Sequence, residues 1–148
     1  MSNVDKAIQE FAAGRPVMVF DSSFRESETD LLWPAQFATP DVIRKLRNDC
    51  GGLLFLAIGD EIGSLFDLPW LQDIHTHPDL LTQHPVLDSL RTDDLQYDTK
   101  SAFTLSINHR KTFTGITDRD RSLTTRRFGE LSDDVLRRGL SPDEAREA

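Results

Sequence analysis

Apolar residues near the start of the chain recur at helical spacing. Val4, Ala7, Ile8 and Phe11 fall at i, i+3, i+4 and i+7, which predicts a helix with one apolar face. Gly14 is a stop signal, and PVMVF (16–20) then predicts a buried strand. The polar run FRESETDLL (24–32) follows as a loop. A second helix is announced at Thr39-Pro40-Asp41 by a hydroxyl cap, a proline at the first helical position and an acid. Val42, Ile43 and Leu46 give it an inner face, and Gly51-Gly52 ends it.

LLFLAI (53–58) is short and wholly apolar, which favours a core strand over a buried helical turn. GDEIGSLFDLP (59–69) predicts a short helix that stops before Pro69. Residues 70–98 have weak periodicity and many polar positions, so a long surface excursion is expected. AFTLSIN (102–108) alternates, with Phe103, Leu105 and Ile107 on one face, and predicts a strand. Thr117 opens another helix, with Asp120 three positions on as in a capping box. That helix runs through Leu123 and Phe128. After Leu131 two short helical pieces are expected, the second opened by Ser141-Pro142-Asp143-Glu144.

The 148 residues suffice for one domain with one core. A net charge of −8 argues against nucleic acid or an anionic membrane as a general partner. Aspartate far exceeds glutamate and arginine far exceeds lysine, a surface suited to high salt as well as to an ordinary cytosol. A single cysteine, Cys50, excludes an intramolecular disulfide and a multi-cysteine zinc site. Its place at a helix end gives it a structural reading. The N-terminus has no signal-peptide core, and no apolar run approaches the ~20 residues needed to span a bilayer. A cytoplasmic protein is expected.

Three places could carry chemistry. In the acidic loop, Glu26, Glu28 and Asp30 alternate and would project to one side of an extended segment. Carboxylates so placed suit Mg²⁺, with Arg25 free to hold a substrate oxygen. By composition alone, a solvated charged loop explains the same residues. In TFTGITDRDR (112–121), Gly115 would let a backbone approach a ligand, and a helix start attracts anions. Asp118 and Asp120 already complement the dipole there, and capping alone accounts for most of the pattern. His75, His77, His84 and His109 lack an acid or cysteine at ligand spacing and read as surface histidines. There is no G-x-S-x-G elbow, G-x-G-x-x-G fingerprint or P-loop, so serine hydrolysis and nucleotide binding have no local support.

Three segments together resemble one family. VMVFDSSFRESETDLLWPAQFATPDVI is similar to the D-x-x-x-R-E-x-E-x-D-L segment of 3,4-dihydroxy-2-butanone 4-phosphate synthases. LRNDCGGLL is similar to the helix-to-strand junction that follows it. SAFTLSINHRKTFTGITDRDRSLT resembles the archaeal branch of the family. The resemblance implies an α+β fold: a single domain over residues 1–148, a mixed α/β sandwich with helices covering a sheet of mixed direction. It also implies a homodimer with sites near the subunit interface.

The activity it implies is a riboflavin-pathway lyase that converts ribulose 5-phosphate to dihydroxybutanone phosphate and formate. The implied cofactor is Mg²⁺ or Mn²⁺, one or two ions per site. By the same resemblance Glu26 is the metal ligand and Glu28 a contact to a second metal. Arg25 and Asp30 contact the sugar phosphate, Thr114 reaches it from the second loop, and Asp21 is a further binding residue. The sequence departs from the family at Phe55, where members often carry cysteine. The family's later R-x-P-G-H and G-H-T segments and a further glutamate have no counterpart before Ala148. The expectation is therefore an N-terminal portion, inactive alone. The competing expectation is a non-catalytic binding or assembly module that keeps the fold without the C-terminal half of the site.

Overall fold

The computed structural model describes residues 1–51, 53–91, 94–98 and 102–148. The chain divides into two compact units. The first comprises Met1–Ile58, Ile107–Leu140 and Glu147–Ala148; the second comprises Gly59–Ser106 and Ser141–Arg146.

In the first unit, helix α1 (Asn3–Ala12) starts from a capping box in which Ser2 and Asp5 exchange hydrogen bonds. It ends where predicted, two residues before Gly14. Gly14 adopts φ +80, and the Phe37 ring lies where its Cβ would be, 2.7 Å away. The Trp33 indole donates to the Gly14 carbonyl at 3.0 Å. This turn therefore needs glycine on conformational and steric grounds alike.

Strands β1 (Val17–Phe20) and β2 (Thr29–Leu32) form an antiparallel hairpin, with Val17 opposite Leu32 and Phe20 opposite Thr29. The predicted strand is present but not buried: Met18, Val19 and Phe20 are exposed. Only Val17 is half-covered, where it lines a shallow apolar groove with Ala7, Ile8, Phe11 and Ala12. The sequence pattern of PVMVF marks apolar side chains, not what covers them.

Helix α2 (Pro40–Asp49) follows a 3-10 turn (Ala35–Phe37) and begins as expected, with Thr39 Oγ1 accepting the Val42 N–H. It ends at Cys50, whose N–H returns to the Leu46 carbonyl. Gly51 lies beyond that end, and Gly52 lies outside the described residues. Ile43 is 1% exposed and Val42 and Leu46 half-buried, so the predicted inner face is the observed one.

Helix α2 packs against the long helix α6 (Asp118–Arg138), numbered after α3–α5 of the second unit. The 3-10 turn packs on α6 as well. Small residues bring these backbones together. A Cβ on Gly129 would lie 2.8 Å from that of Ala35, and buried Ser122 donates to the Ala38 carbonyl at 2.6 Å. Val135 is fully buried. Arg47 of α2 grips Asp118 of α6 through two bonds of 3.1 and 3.2 Å.

Helix α6 corrects one expectation. Instead of breaking after Leu131, it continues to Arg138. Ser132, Asp133 and Asp134 are weak helix formers, because such residues compete with the backbone for its hydrogen bonds. Here Ser132 Oγ bonds the Phe128 carbonyl, and the aspartates pair with Arg137 and Arg138 one turn on.

The second unit contains α3 (Asp60–Leu65), α4 (Leu71–His75), α5 (Pro78–Gln83), a 3-10 stretch (Pro85–Leu90) and most of α7 (Pro142–Glu147). The expected excursion over 70–98 is thus partly helical, built from short turns, two of which begin at a proline. Helix α7 opens on a Ser141–Glu144 capping box, as predicted.

Two predicted strands are not formed. Neither 53–58 nor 102–108 joins a ladder; β1–β2 is the one sheet among the described residues. In 53–58 burial nevertheless alternates along the chain. Leu54, Leu56 and Ile58 are half-buried, while Leu53 and Phe55 are 69% and 59% exposed. Phe103, Leu105 and Ile107 are likewise about half exposed. A period of two fixes which side chains share a face, but a strand also needs a neighbour to accept its hydrogen bonds. The class is α+β, with a small sheet. Among the described residues no helix is long and apolar enough to cross a membrane.

Candidate functional site

The loop between β1 and β2, residues 21–28, is shaped by its first residue. The Asp21 carboxylate accepts the N–H of Glu26 at 3.1 Å and that of Glu28 at 3.2 Å. The Asp21 N–H donates to the Glu28 carbonyl, which extends the ladder by one rung. Burial pushes the Asp21 carboxyl up, but the Ser22, Glu26 and Glu28 N–H groups outweigh it and hold the group below the usual aspartate range.

The loop therefore carries Asp21, Arg25, Glu26 and Glu28 on one short connection whose backbone Asp21 holds. It does so by a different geometry from the extended alternation expected. Residues 23–26 form a turn, and Ser27 has φ 55, in the left-handed region. Glu26 and Glu28 accordingly do not share a strand face. Arg25 Nε lies 3.4 Å from Glu26 Oε2, and both side chains are nearly half exposed, within reach of a ligand. Asp30 is exposed on β2, opposite Val19.

Thr114 lies in a second loop, just before α6, and is exposed. Thr117 caps the helix as predicted, accepting the Asp120 N–H at 3.1 Å. The Asp120 carboxylate turns away from a capping box. It accepts the N–H groups of Phe113 at 3.2 Å, Thr114 at 3.0 Å and Gly115 at 3.0 Å. The Thr114 N–H is the foremost cause of its lowered pKa; burial opposes it, and the Phe113 and Gly115 N–H groups add to the lowering. Sequence reasoning missed this role of Asp120. The available signal was an acid three residues after a helix cap, with Thr-Gly directly upstream, and it reads equally as simple capping.

His75 ends α4, His77 and His84 flank α5, and His109 Nδ1 accepts the Lys111 N–H at 3.1 Å. Among the described residues no three His, Cys, Asp or Glu side chains converge as a metal-binding group. Cys50 is half-buried at the end of α2.

Comparison with known proteins reaches both loops. Residues 5–140 match the family described as 3,4-dihydroxy-2-butanone 4-phosphate synthase, a span that crosses both compact units. The chain is 42% identical over 129 residues to the 3,4-dihydroxy-2-butanone 4-phosphate synthase of Methanothermobacter thermautotrophicus, covering 87% of this chain and 54% of that protein. It is 39% identical over 136 residues to the synthase of Archaeoglobus fulgidus, covering 89% and 55%. The chain thus spans about half the length of the curated relatives it matches.

Among solved structures, a 3,4-dihydroxy-2-butanone 4-phosphate synthase in complex with two magnesium ions superposes with a TM-score of 0.59 at 25% identity, over 85% of this chain and 50% of that one. A two-domain synthase from A. baumannii gives 0.60, also at 25% identity, over 84% and 31%. With the match running through the Asp21 hairpin loop and the Thr114 loop alike, the chain belongs to the 3,4-dihydroxy-2-butanone 4-phosphate synthase family.

Proposed function

We propose that this chain supplies the N-terminal half of the active site of a Mg²⁺-dependent lyase of riboflavin biosynthesis. The reaction splits ribulose 5-phosphate into 3,4-dihydroxy-2-butanone 4-phosphate and formate, a rearrangement with no net oxidant or reductant. The observation that carries this reading is the Asp21-centred hairpin loop. It sets Arg25, Glu26 and Glu28 together in a segment that matches the family.

The donor set fits a hard divalent cation. Glu26 presents an exposed carboxylate beside Arg25, in a loop whose backbone the Asp21 carboxylate holds. Mg²⁺ characteristically takes one or two carboxylates and completes its shell with water and substrate oxygens. Glu26 is the direct ligand in this reading and Glu28 the contact to a second ion, as two magnesium ions in the solved relative encourage. Mn²⁺ satisfies the same oxygen donors. When bound, the metal contributes Lewis acidity toward the substrate's ketone and neighbouring hydroxyl.

The chain's own residues do the rest. Arg25 offers planar paired donors to an anionic or carbonyl oxygen. Asp30 accepts from sugar hydroxyls, and Thr114 meets the sugar from the second loop. An exposed carboxylate of the hairpin loop serves as proton acceptor and then donor as hydrogen moves along the carbon chain. The whole protein acts in the cytoplasm as a homodimer, with the sugar phosphate as its small-molecule partner.

A second reading rests on length, since the chain covers only about half of its relatives: a binding or assembly module that keeps the fold without turnover. Formate release from ribulose 5-phosphate, with Mg²⁺ and with chelator, separates the two in the protein as its gene encodes it. Mg²⁺-dependent formate supports the lyase. Binding of the sugar phosphate without formate supports the module.

A further inference from the structure

The loop before α6 contains three successive N–H groups, of Phe113, Thr114 and Gly115, that converge on one point. Such a concave run of donors is an anion-binding arrangement, and a phosphate is a natural occupant. In this chain the position is already filled from within. The Asp120 carboxylate takes the Phe113 N–H on Oδ1 and those of Thr114 and Gly115 on Oδ2. Asp120 is only 8% exposed, and α6 holds its backbone through the Thr117 cap. Charge-assisted bonds of this kind are about twice as strong as neutral ones, so these three donors are already taken when a substrate phosphate arrives.

What the loop still offers is the Thr114 hydroxyl. Its proton points to Asp120 Oδ2 at 3.4 Å, and its oxygen accepts the Ile116 N–H at 3.3 Å. One lone pair on Thr114 Oγ1 is left. Asp120 therefore sets the polarity of this contact as well as its position. With the proton committed to a carboxylate, Thr114 faces a ligand as a hydrogen-bond acceptor.

We infer that Asp120 is a positioning residue that fixes Thr114 as the acceptor for a hydroxyl of the sugar substrate, and that this loop is not the phosphate site. The inference deepens the lyase reading and rests on it. The test uses the protein as its gene encodes it, with Mg²⁺. Asp120→Asn keeps the size of the side chain but replaces one acceptor oxygen with an amide donor that opposes an N–H. Thr114→Val removes the hydroxyl and leaves the three amide bonds in place.

Each variant is expected to raise KM for ribulose 5-phosphate roughly 10-fold with kcat within about 3-fold, as loss of a contact made equally in ground and transition states requires. Inhibition by inorganic phosphate should be unchanged in both. Amide exchange at Phe113, Thr114 and Gly115 should quicken in Asp120→Asn only. A purely structural role would lower the active fraction, and so kcat, with KM unmoved.

The inference is overturned by unchanged KM in both variants, or by phosphate inhibition that weakens together with KM. Exchange of the three amides that is unaffected by Asp120→Asn overturns the lock, and this arm needs no turnover. If the wild-type protein neither releases formate nor binds ribulose 5-phosphate, the lyase reading itself falls, and the sugar contact falls with it.

Discussion

The Asn108 side chain lies against the α-carbon of Gly115: a Cβ built on that glycine would sit 2.3 Å from Asn108 Oδ1. Gly115 also has φ +75, so two separate constraints select glycine at the centre of the Thr114 loop. Gly115→Ala should cost about 1–2 kcal/mol from backbone strain alone, read from urea unfolding. A further increment comes from displacing Asn108. Because the clash is with the end of a side chain, Asn108→Ala in the same protein should restore that increment and leave the backbone part. Additive losses in the double variant would show that Asn108 does not press on this position.

The junction between α6 and the start of α2 predicts the next result. Ser122 Oγ donates to the Ala38 carbonyl at 2.6 Å, and both residues are nearly sealed from solvent. Ser122→Ala leaves that carbonyl without this donor in a place water scarcely reaches, and should cost about 1–3 kcal/mol. At Ile43, 1% exposed, Ile→Val should cost about 0.5–1.5 kcal/mol and Ile→Ala about 2–5 kcal/mol. Equal losses for Val and Ala would mean that the space around Ile43 collapses freely.

Asp120 also makes stability depend on pH. Its carboxyl is held below the ordinary aspartate value of about 3.9, first by the Thr114 N–H. The charged form is therefore favoured in the folded chain more than in the unfolded one. The resulting stability is fully present above about pH 4 and is lost as pH falls through the depressed folded value. Urea midpoints taken from pH 6 downwards should fall more steeply for the wild type than for Asp120→Asn, and the two curves should converge in acid. Parallel curves would show that the three amides do not favour the charged form.

Much of this was legible in the residues because local rules govern it. The caps at Thr39, Thr117 and Ser141 were read from hydroxyl-and-acid patterns, and each closes on its own helix, a relationship spanning three or four positions. The inner face of α2 followed from Val42, Ile43 and Leu46 in the same way. Neither the apolar run at 53–58 nor the alternation at 102–108 settled a strand, because pairing is made with a distant segment that the pattern does not name. The continuation of α6 past Leu131 was hidden because Ser132, Asp133 and Asp134 are poor helix formers until Arg137 and Arg138 are counted with them. In the candidate site, the family motif named Arg25, Glu26 and Thr114 as candidates. The partners of Asp21 and Asp120 could not be read, because a carboxylate's hydrogen bonds depend on how its loop turns.

The hairpin loop carries the prediction that bears most directly on metal chemistry. Glu26 is proposed as the ligand, whereas Asp21 holds the backbone on either side of it through the Glu26 and Glu28 N–H groups. Removing the ligand and removing its support should therefore differ in kind. Glu26→Gln should lower Mg²⁺ affinity by roughly 100-fold or more, since changes even to groups behind a metal ligand typically cost about 10–100-fold. Formate release should fall with it and not recover at any practical Mg²⁺ concentration. Asp21→Asn keeps one acceptor oxygen but sets an amide donor against an N–H, so the loop loosens while Glu26 keeps its charge. That variant should lie within roughly 10–100-fold of wild type in Mg²⁺ affinity and recover most of its activity when Mg²⁺ is raised. Titration of Mg²⁺ binding by calorimetry, beside formate release at each concentration, distinguishes the two. A Glu26→Gln protein with undiminished Mg²⁺ binding would remove the metal from this loop, whatever Asp21→Asn does.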